Sequence, residues 1–228
     1  ETFGITVLEG YGITECAPLV AVNSPGKVRL CSVGQPVKGC QVKIDPSGGD
    51  YVTYENTKSR KMPRPAGPVG EILVKGDNVM LGYYKNEDAT REAFTEDGWF
   101  RTGDIGYLDS DGYLYITGRK KNVIILSNGK NIFPEELEEK LSRVPGVGEC
   151  VVIGRKNEAG ETVLTAVIYP DPEHSAGKTK DEIQKSLREA VNELNRTLPI
   201  YKQIRAVELR ETEFEKTSSR KIKRYLVK

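Results

Sequence analysis

Gly118-Arg-Lys-Lys-Asn-Val-Ile-Ile-Leu-Ser-Asn-Gly-Lys-Asn-Ile-Phe-Pro-Glu-Glu-Leu-Glu138 marks where the texture of the chain changes. Three cations lead into residues 122–126, which read as a strand, and Ser127-Asn-Gly-Lys-Asn131 reads as a turn. Pro134 opens a helix where its missing N–H costs nothing, and Glu135 and Glu136 sit in the first turn, where the helix dipole favours anions. Beyond it, strands are predicted over 149–155 and 162–169, separated by the turn Asn157-Glu-Ala-Gly160. A second helix carries a capping box, Thr179 with Glu182. Its Ile183, Leu187, Val191 and Leu194 share one face. A strand at 204–209, a polar loop and a basic segment close an α+β domain over 118–228.

Upstream, the pattern is mostly β. Residues 5–8, Ile-Thr-Val-Leu, read as a short buried strand entering a glycine turn, Glu9-Gly-Tyr-Gly12. Short apolar runs follow at 40–44, 70–75 and 112–116, with one helix over 86–94. Asp111-Gly112 is a hairpin signal, because that pair tolerates the positive φ of a tight turn. The expected architecture is mixed α/β: a β-rich segment over 1–117, then a small α+β domain over 118–228.

The 228 residues can hold one large or two small domains. Lys plus Arg is 34 and Asp plus Glu 33, so the net charge is +1 and whole-molecule attraction to nucleic acid or anionic membrane is excluded. No apolar run approaches the roughly 18 residues of a membrane span, and no secretory signal is visible. Peripheral membrane contact stays open. Cys16, Cys31, Cys40 and Cys150 show no metal-ligand spacing and read as buried thiols of a reducing cytoplasm. His174 lies in a loop composition, 170–177, and argues against a hydrolase triad or a histidine metal site.

Four segments can carry chemistry. Tyr11-Gly-Ile-Thr-Glu15 offers an aromatic face, a hydroxyl and a carboxylate, or else a plain turn that Thr14 caps. Arg101-Thr-Gly-Asp104 offers a rigid carboxylate for a ribose diol, or else an Asx turn. The third is the cationic run from Gly118. The fourth is 216–228, with six positive residues and no acids, which leaves −5 for the rest of the chain.

The order and spacing of these segments resemble the adenylate-forming acyl-CoA synthetase superfamily. Glu9-Gly-Tyr-Gly-Ile-Thr-Glu-Cys-Ala-Pro18 and Ser32-Val-Gly-Gln-Pro36 look like its fatty acyl-CoA ligases. The resemblance spans the whole chain but matches only the C-terminal part of such an enzyme. The upstream half, with its Ser/Thr/Gly-rich phosphate loop, is therefore an expected partner, and the chain alone is expected to be inactive. The resemblance implies activation of a fatty acid by attack on the α-phosphate of ATP, then transfer to coenzyme A. Tyr11 would stack on adenine, Gly12 would belong to the same nucleotide site, Thr14 would hydrogen-bond the α-phosphate, Glu15 would hold Mg²⁺, Asp104 would accept both ribose hydroxyls and Arg119 would support the same sugar. Lys121 would be the hinge of a rotating lid, and Ser127, Asn128 and Gly129 would line the pantetheine channel.

Lys221 matches the lysine of the family's last motif and would bridge carboxylate and α-phosphate. Glu215 and Arg220 replace the motif's usual Pro and Gly, which leaves Lys223 as an alternative to Lys221. One residue more than in many relatives separates Arg119 from Gly129. Competing readings are an adenylating ligase for an aryl acid or an acyl carrier protein, and a non-catalytic module that holds polyanions through 216–228.

Overall fold

Short strands bounded by glycine and aspartate build two antiparallel sheets in the first half of the molecule. The computed structural model describes residues 4–48, 63–218 and 220–227. They divide into two units, Glu1–Lys121 and Asn122–Lys228. In the first unit, β1 (Gly10–Gly12), β2 (Leu19–Val22) and β3 (Gln35–Pro36) form one sheet in that order. A second sheet runs β4 (Cys40–Asp45), β5 (Gly70–Gly76), β6 (Phe100–Leu108) and β7 (Leu114–Arg119), every neighbouring pair antiparallel. Helix α1 (Glu87–Ala93) lies in the β5–β6 connection, and the Asn86 side chain caps it by accepting from the Ala89 N–H at 3.1 Å.

The predicted hairpin is present. Gly112 takes φ +76°, and Asp109 Oδ1 accepts from the N–H groups of Asp111 and Tyr113, both at 2.9 Å. Ser32-Val-Gly-Gln-Pro36 is a structural clip. Leu114 N–H donates to the Gly34 carbonyl at 2.8 Å, and a Cβ on Gly34 would sit 1.9 Å from the Val22 carbonyl carbon. Only glycine fits there. The core joins Val20, Ile72, Val74, Phe100 and Leu114.

In the second unit, β8 (Ile124–Ile125) and β9 (Asn131–Ile132) form a small hairpin ahead of α2 (Pro134–Leu141). Strand β10 (Val147–Lys156) pairs antiparallel with β11 (Thr162–Pro170), which pairs in parallel with β12 (Ala206–Leu209). A parallel pair needs a crossover. The one-turn helix α3 (Pro172–Ser175) and the long α4 (Lys180–Arg196) supply it. The Thr179–Glu182 capping box is formed on both sides. The predicted apolar face of α4 meets the core through buried Leu187 and Val191, with Ile183 and Leu194 half-buried beside them.

Five local readings are corrected. Residues 5–8 form no strand, and Ile5 and Val7 are exposed, because no described strand lies beside them to take their hydrogen bonds. The glycine turn at 9–12 is instead β1, paired with β2. The strand over 122–126 shrinks to two residues, since 120–122 coil into a 3₁₀ turn. Cys31 is exposed in a left-handed turn (φ +65°), whereas Cys16, Cys40 and Cys150 are buried. Pro172 at the helix start and the Asp171 cap turn the His174 segment into a helix.

Leu187→Ala should cost the second unit about 2–4 kcal/mol, read as a fall in the urea midpoint. Lys185→Ala on the exposed face should stay within about 0.5 kcal/mol.

Candidate functional site

Asp104 owes its position to a bulge. Along β5, Glu71 pairs with Ile105 and Leu73 with Arg101, so Ile72 alone faces Thr102, Gly103 and Asp104 of β6. The excursion closes on itself. Thr102 Oγ1 donates to the Ile72 carbonyl at 2.7 Å and accepts from the Asp104 N–H at 3.1 Å. Gly103, at φ +71°, donates its N–H to Glu71 Oε1 at 3.2 Å. Bulges of this kind re-aim a side chain.

The aimed residue is 3 % exposed. Tyr11 Oη donates to Asp104 Oδ2 at 2.6 Å, and Arg119, opposite Asp104 on β7, places Nε 2.8 Å from Oδ1. Burial, then the neighbouring Asp104 charge, push the Tyr11 hydroxyl far above its ordinary pKa, so it remains a donor.

A second feature is the clamp on Glu15. Thr14–Cys16 form a 3₁₀ turn in which Thr14 is exposed and no side chain caps the start. Met80 N–H donates to the Glu15 carbonyl at 2.7 Å, and Tyr83 Oη donates to Glu15 Oε1 at 3.1 Å. Burial, then the Glu15 hydrogen bond, raise the Tyr83 pKa. Among the described residues, no group of three or more His, Cys, Asp or Glu gathers to hold a metal. One half-buried carboxylate with a single hydroxyl donor suits a hard cation that takes its other ligands from water and phosphate.

In the second unit, residues 215–217 and 221–224 are stapled to each other. Thr217 N–H donates to the Lys221 carbonyl at 2.8 Å, and Lys223 N–H to the Glu215 carbonyl at 2.7 Å. Lys216 pairs with Glu149, and Arg224 with Glu138, whose carboxyl is raised by burial and partly restored by that guanidinium. Lys221 is exposed and makes no ion pair among the described residues, whereas Lys223 is half-buried. Arg220 adopts φ +61°. That is the left-handed conformation natural to glycine.

Ser127, Asn128 and Gly129 form the tip of the β8–β9 hairpin. Ser127 Oγ accepts from the Thr162 N–H at 2.8 Å, Asn128 Oδ1 from the Lys130 N–H at 3.1 Å, and Gly129 turns at φ +79°. Ser127 and Asn128 border an open groove of about 590 Å³ whose walls include Lys130, Tyr201 and Arg205. Lys121 is the last residue of the first unit.

The structure thus brings Tyr11 and Arg119 onto the Asp104 carboxylate, with Thr14 and Glu15 a few residues along the chain from Tyr11. It adds Glu71 and Tyr83, which sequence reasoning passed over. An acid inside the apolar run Gly-Glu-Ile-Leu-Val was the available signal for Glu71.

The AMP-binding enzyme model matches residues 1–84, and the AMP-binding enzyme C-terminal domain model matches 121–228. The chain belongs to the AMP-binding enzyme family, as the C-terminal portion of an adenylate-forming ligase. A sulfoacetate–CoA ligase of Cupriavidus necator is 44% identical over 169 residues, 73% of this chain and 30% of that protein. A long-chain-fatty-acid–CoA ligase of Escherichia coli is 40% identical over 172 residues, 74% of this chain and 28% of that protein. The o-succinylbenzoate CoA synthetase of Bacillus subtilis, solved with its acyl-adenylate intermediate, superposes with TM-score 0.73 at 30% identity, over 99% of this chain and 41% of that one. The chain spans about 30% of the length of the curated relatives it matches.

Arg220→Gly should raise the thermal midpoint, by about 0.5–1 kcal/mol of stability, because relief of a left-handed side chain outweighs the entropy of glycine. A lower midpoint would show that Arg220 makes a contact worth more than its strain.

Proposed function

We propose that this chain is part of an AMP-forming acid–thiol ligase that activates a fatty acid as its acyl-adenylate and passes it to coenzyme A. The observation that carries the reading is Asp104, a buried carboxylate on which Tyr11 and Arg119 converge. A ribose diol presents two hydroxyl donors that match it. Tyr11 and Gly12 border that position on β1, and Thr14, with its hydroxyl exposed, would donate to the α-phosphate. Glu15 would hold Mg²⁺ with water and phosphate oxygens, and that ion supplies charge neutralisation at the phosphates.

Lys221 is the adenylation lysine in this reading, ahead of Lys223, because it is exposed whereas Lys223 is half-buried. It would sit between the fatty carboxylate and the α-phosphate, where negative charge builds as pyrophosphate leaves. A cation already oriented there lowers the barrier because it needs no reorganisation at the moment of reaction. After the first half-reaction the second unit would turn about Lys121, bringing Ser127, Asn128 and Gly129 to the site for the thiol. The upstream half of the polypeptide would supply the phosphate loop and most of the acyl pocket. We place the enzyme in the cytoplasm, with four free thiols in support.

A second reading, a short anionic carboxylic acid as substrate, has one observation in its favour: the 44% identity to a sulfoacetate–CoA ligase. Pyrophosphate release by the intact polypeptide across a panel of fatty, aryl and sulfonated acids, with and without coenzyme A, separates the two. The fatty-acid reading expects the highest kcat/KM on an alkanoic acid and thioester formation with coenzyme A. Turnover on sulfoacetate alone would replace it.

In the same assay Lys221→Ala should lower pyrophosphate release by about 10²- to 10³-fold, the usual loss when one oriented charge donor is removed. Lys223→Ala should stay within about threefold of wild type, a far smaller share of the barrier.

A further inference from the structure

Glu71 is 3 % exposed, yet it is a carboxylate in the middle of a sheet. A buried charge survives only when it is paired and hydrogen-bonded, and Glu71 spends its two oxygens in a particular way. Oε1 accepts the Gly103 N–H at 3.2 Å, the apex of the bulge and the residue before Asp104. Oε2 takes Lys120 Nζ at 2.8 Å, the residue after Arg119, and Arg101 Nη1 at 3.3 Å, the residue that opens the bulge. Arg101 is held in turn by Asp45 on β4. One side chain on β5 therefore grips β6 immediately before Asp104 and β7 immediately after Arg119.

We propose that Glu71 is the positioning residue for the Asp104–Arg119 pair, fixing the angle at which the ribose-binding carboxylate is presented; this rests on the nucleotide reading above. Loss of its side chain frees the Gly103 N–H and lets the bulge relax, so that Asp104 stays in the sheet but loses its aim. Glutamine keeps an acceptor for Gly103 but turns an NH₂ donor toward Lys120 and Arg101, so it loses the charge and the acceptor on that side. Alanine removes the acceptors on both sides.

The test uses the intact polypeptide and reads AMP affinity by calorimetry, the KM for ATP against kcat of pyrophosphate release, and the melting temperature. Glu71→Ala should weaken AMP tenfold or more and raise the KM for ATP by a similar factor, with kcat within threefold. Glu71→Gln, which keeps the Gly103 acceptor but loses the grip on Lys120 and Arg101, should fall between, about three- to fivefold weaker than wild type. Equal impairment by the two variants, or a lower melting temperature with unchanged AMP affinity and KM, overturns the proposal.

If Glu71→Ala does not fold, Lys120→Met takes its place, since Lys120 is exposed and its loss leaves Glu71 paired with Arg101. A threefold or greater loss of AMP affinity at constant melting temperature supports the proposal, and unchanged affinity overturns it. A wild-type protein that binds no AMP overturns the nucleotide reading and this inference together. A wild type that binds AMP, with Glu71→Ala binding as well, overturns only the inference.

Discussion

Burying a carboxylate is expensive unless every oxygen finds a donor, and the first unit is arranged around two such groups. Asp104 is met by a tyrosine hydroxyl and a guanidinium, Glu71 by a backbone N–H, a lysine and an arginine. Each pair spans strands far apart in sequence, so satisfying the charge fixes β1, β5, β6 and β7 against one another. The energetic consequence is asymmetric: removing a donor leaves a buried charge uncompensated, which costs more than the bond itself contributes. Such a site tolerates little drift, and that is what a group meant to meet a ligand at one angle requires.

The second unit solves the opposite problem. Its catalytic candidate, Lys221, must remain exposed, so the rigidity lies around it: Lys216 on Glu149, Arg224 on Glu138, and two backbone bonds across the turn. The left-handed Arg220 shows how firmly this loop is held. A side chain there costs about 1–2 kcal/mol, and the surrounding bonds impose the conformation regardless.

Much of this was legible in the sequence for physical reasons. Period-3.6 spacing placed α4 and its buried face, the Thr179–Glu182 box marked its start, and Asp111-Gly112 marked the hairpin. The candidate site was legible only as ordered short signatures. Neither the Tyr11–Asp104 bond, 93 residues apart in sequence, nor the grip of Glu71 on Gly103 follows from local pattern. Both depend on strand register and on a bulge that no propensity announces. The strand expected at 5–8 failed because apolar alternation declares a wish to pair without naming the partner. Cys31 was misjudged because thiols are usually buried, whereas this one sits in a left-handed turn.

The central claim is that the aimed charge on Asp104 binds a nucleotide ribose. Calorimetric titration of AMP into the intact polypeptide and its Asp104→Asn variant tests it most directly, because the amide keeps the shape and drops the charge. Loss of a charged hydrogen-bond acceptor predicts about 10- to 100-fold weaker binding. Affinity within twofold of wild type would contradict the account.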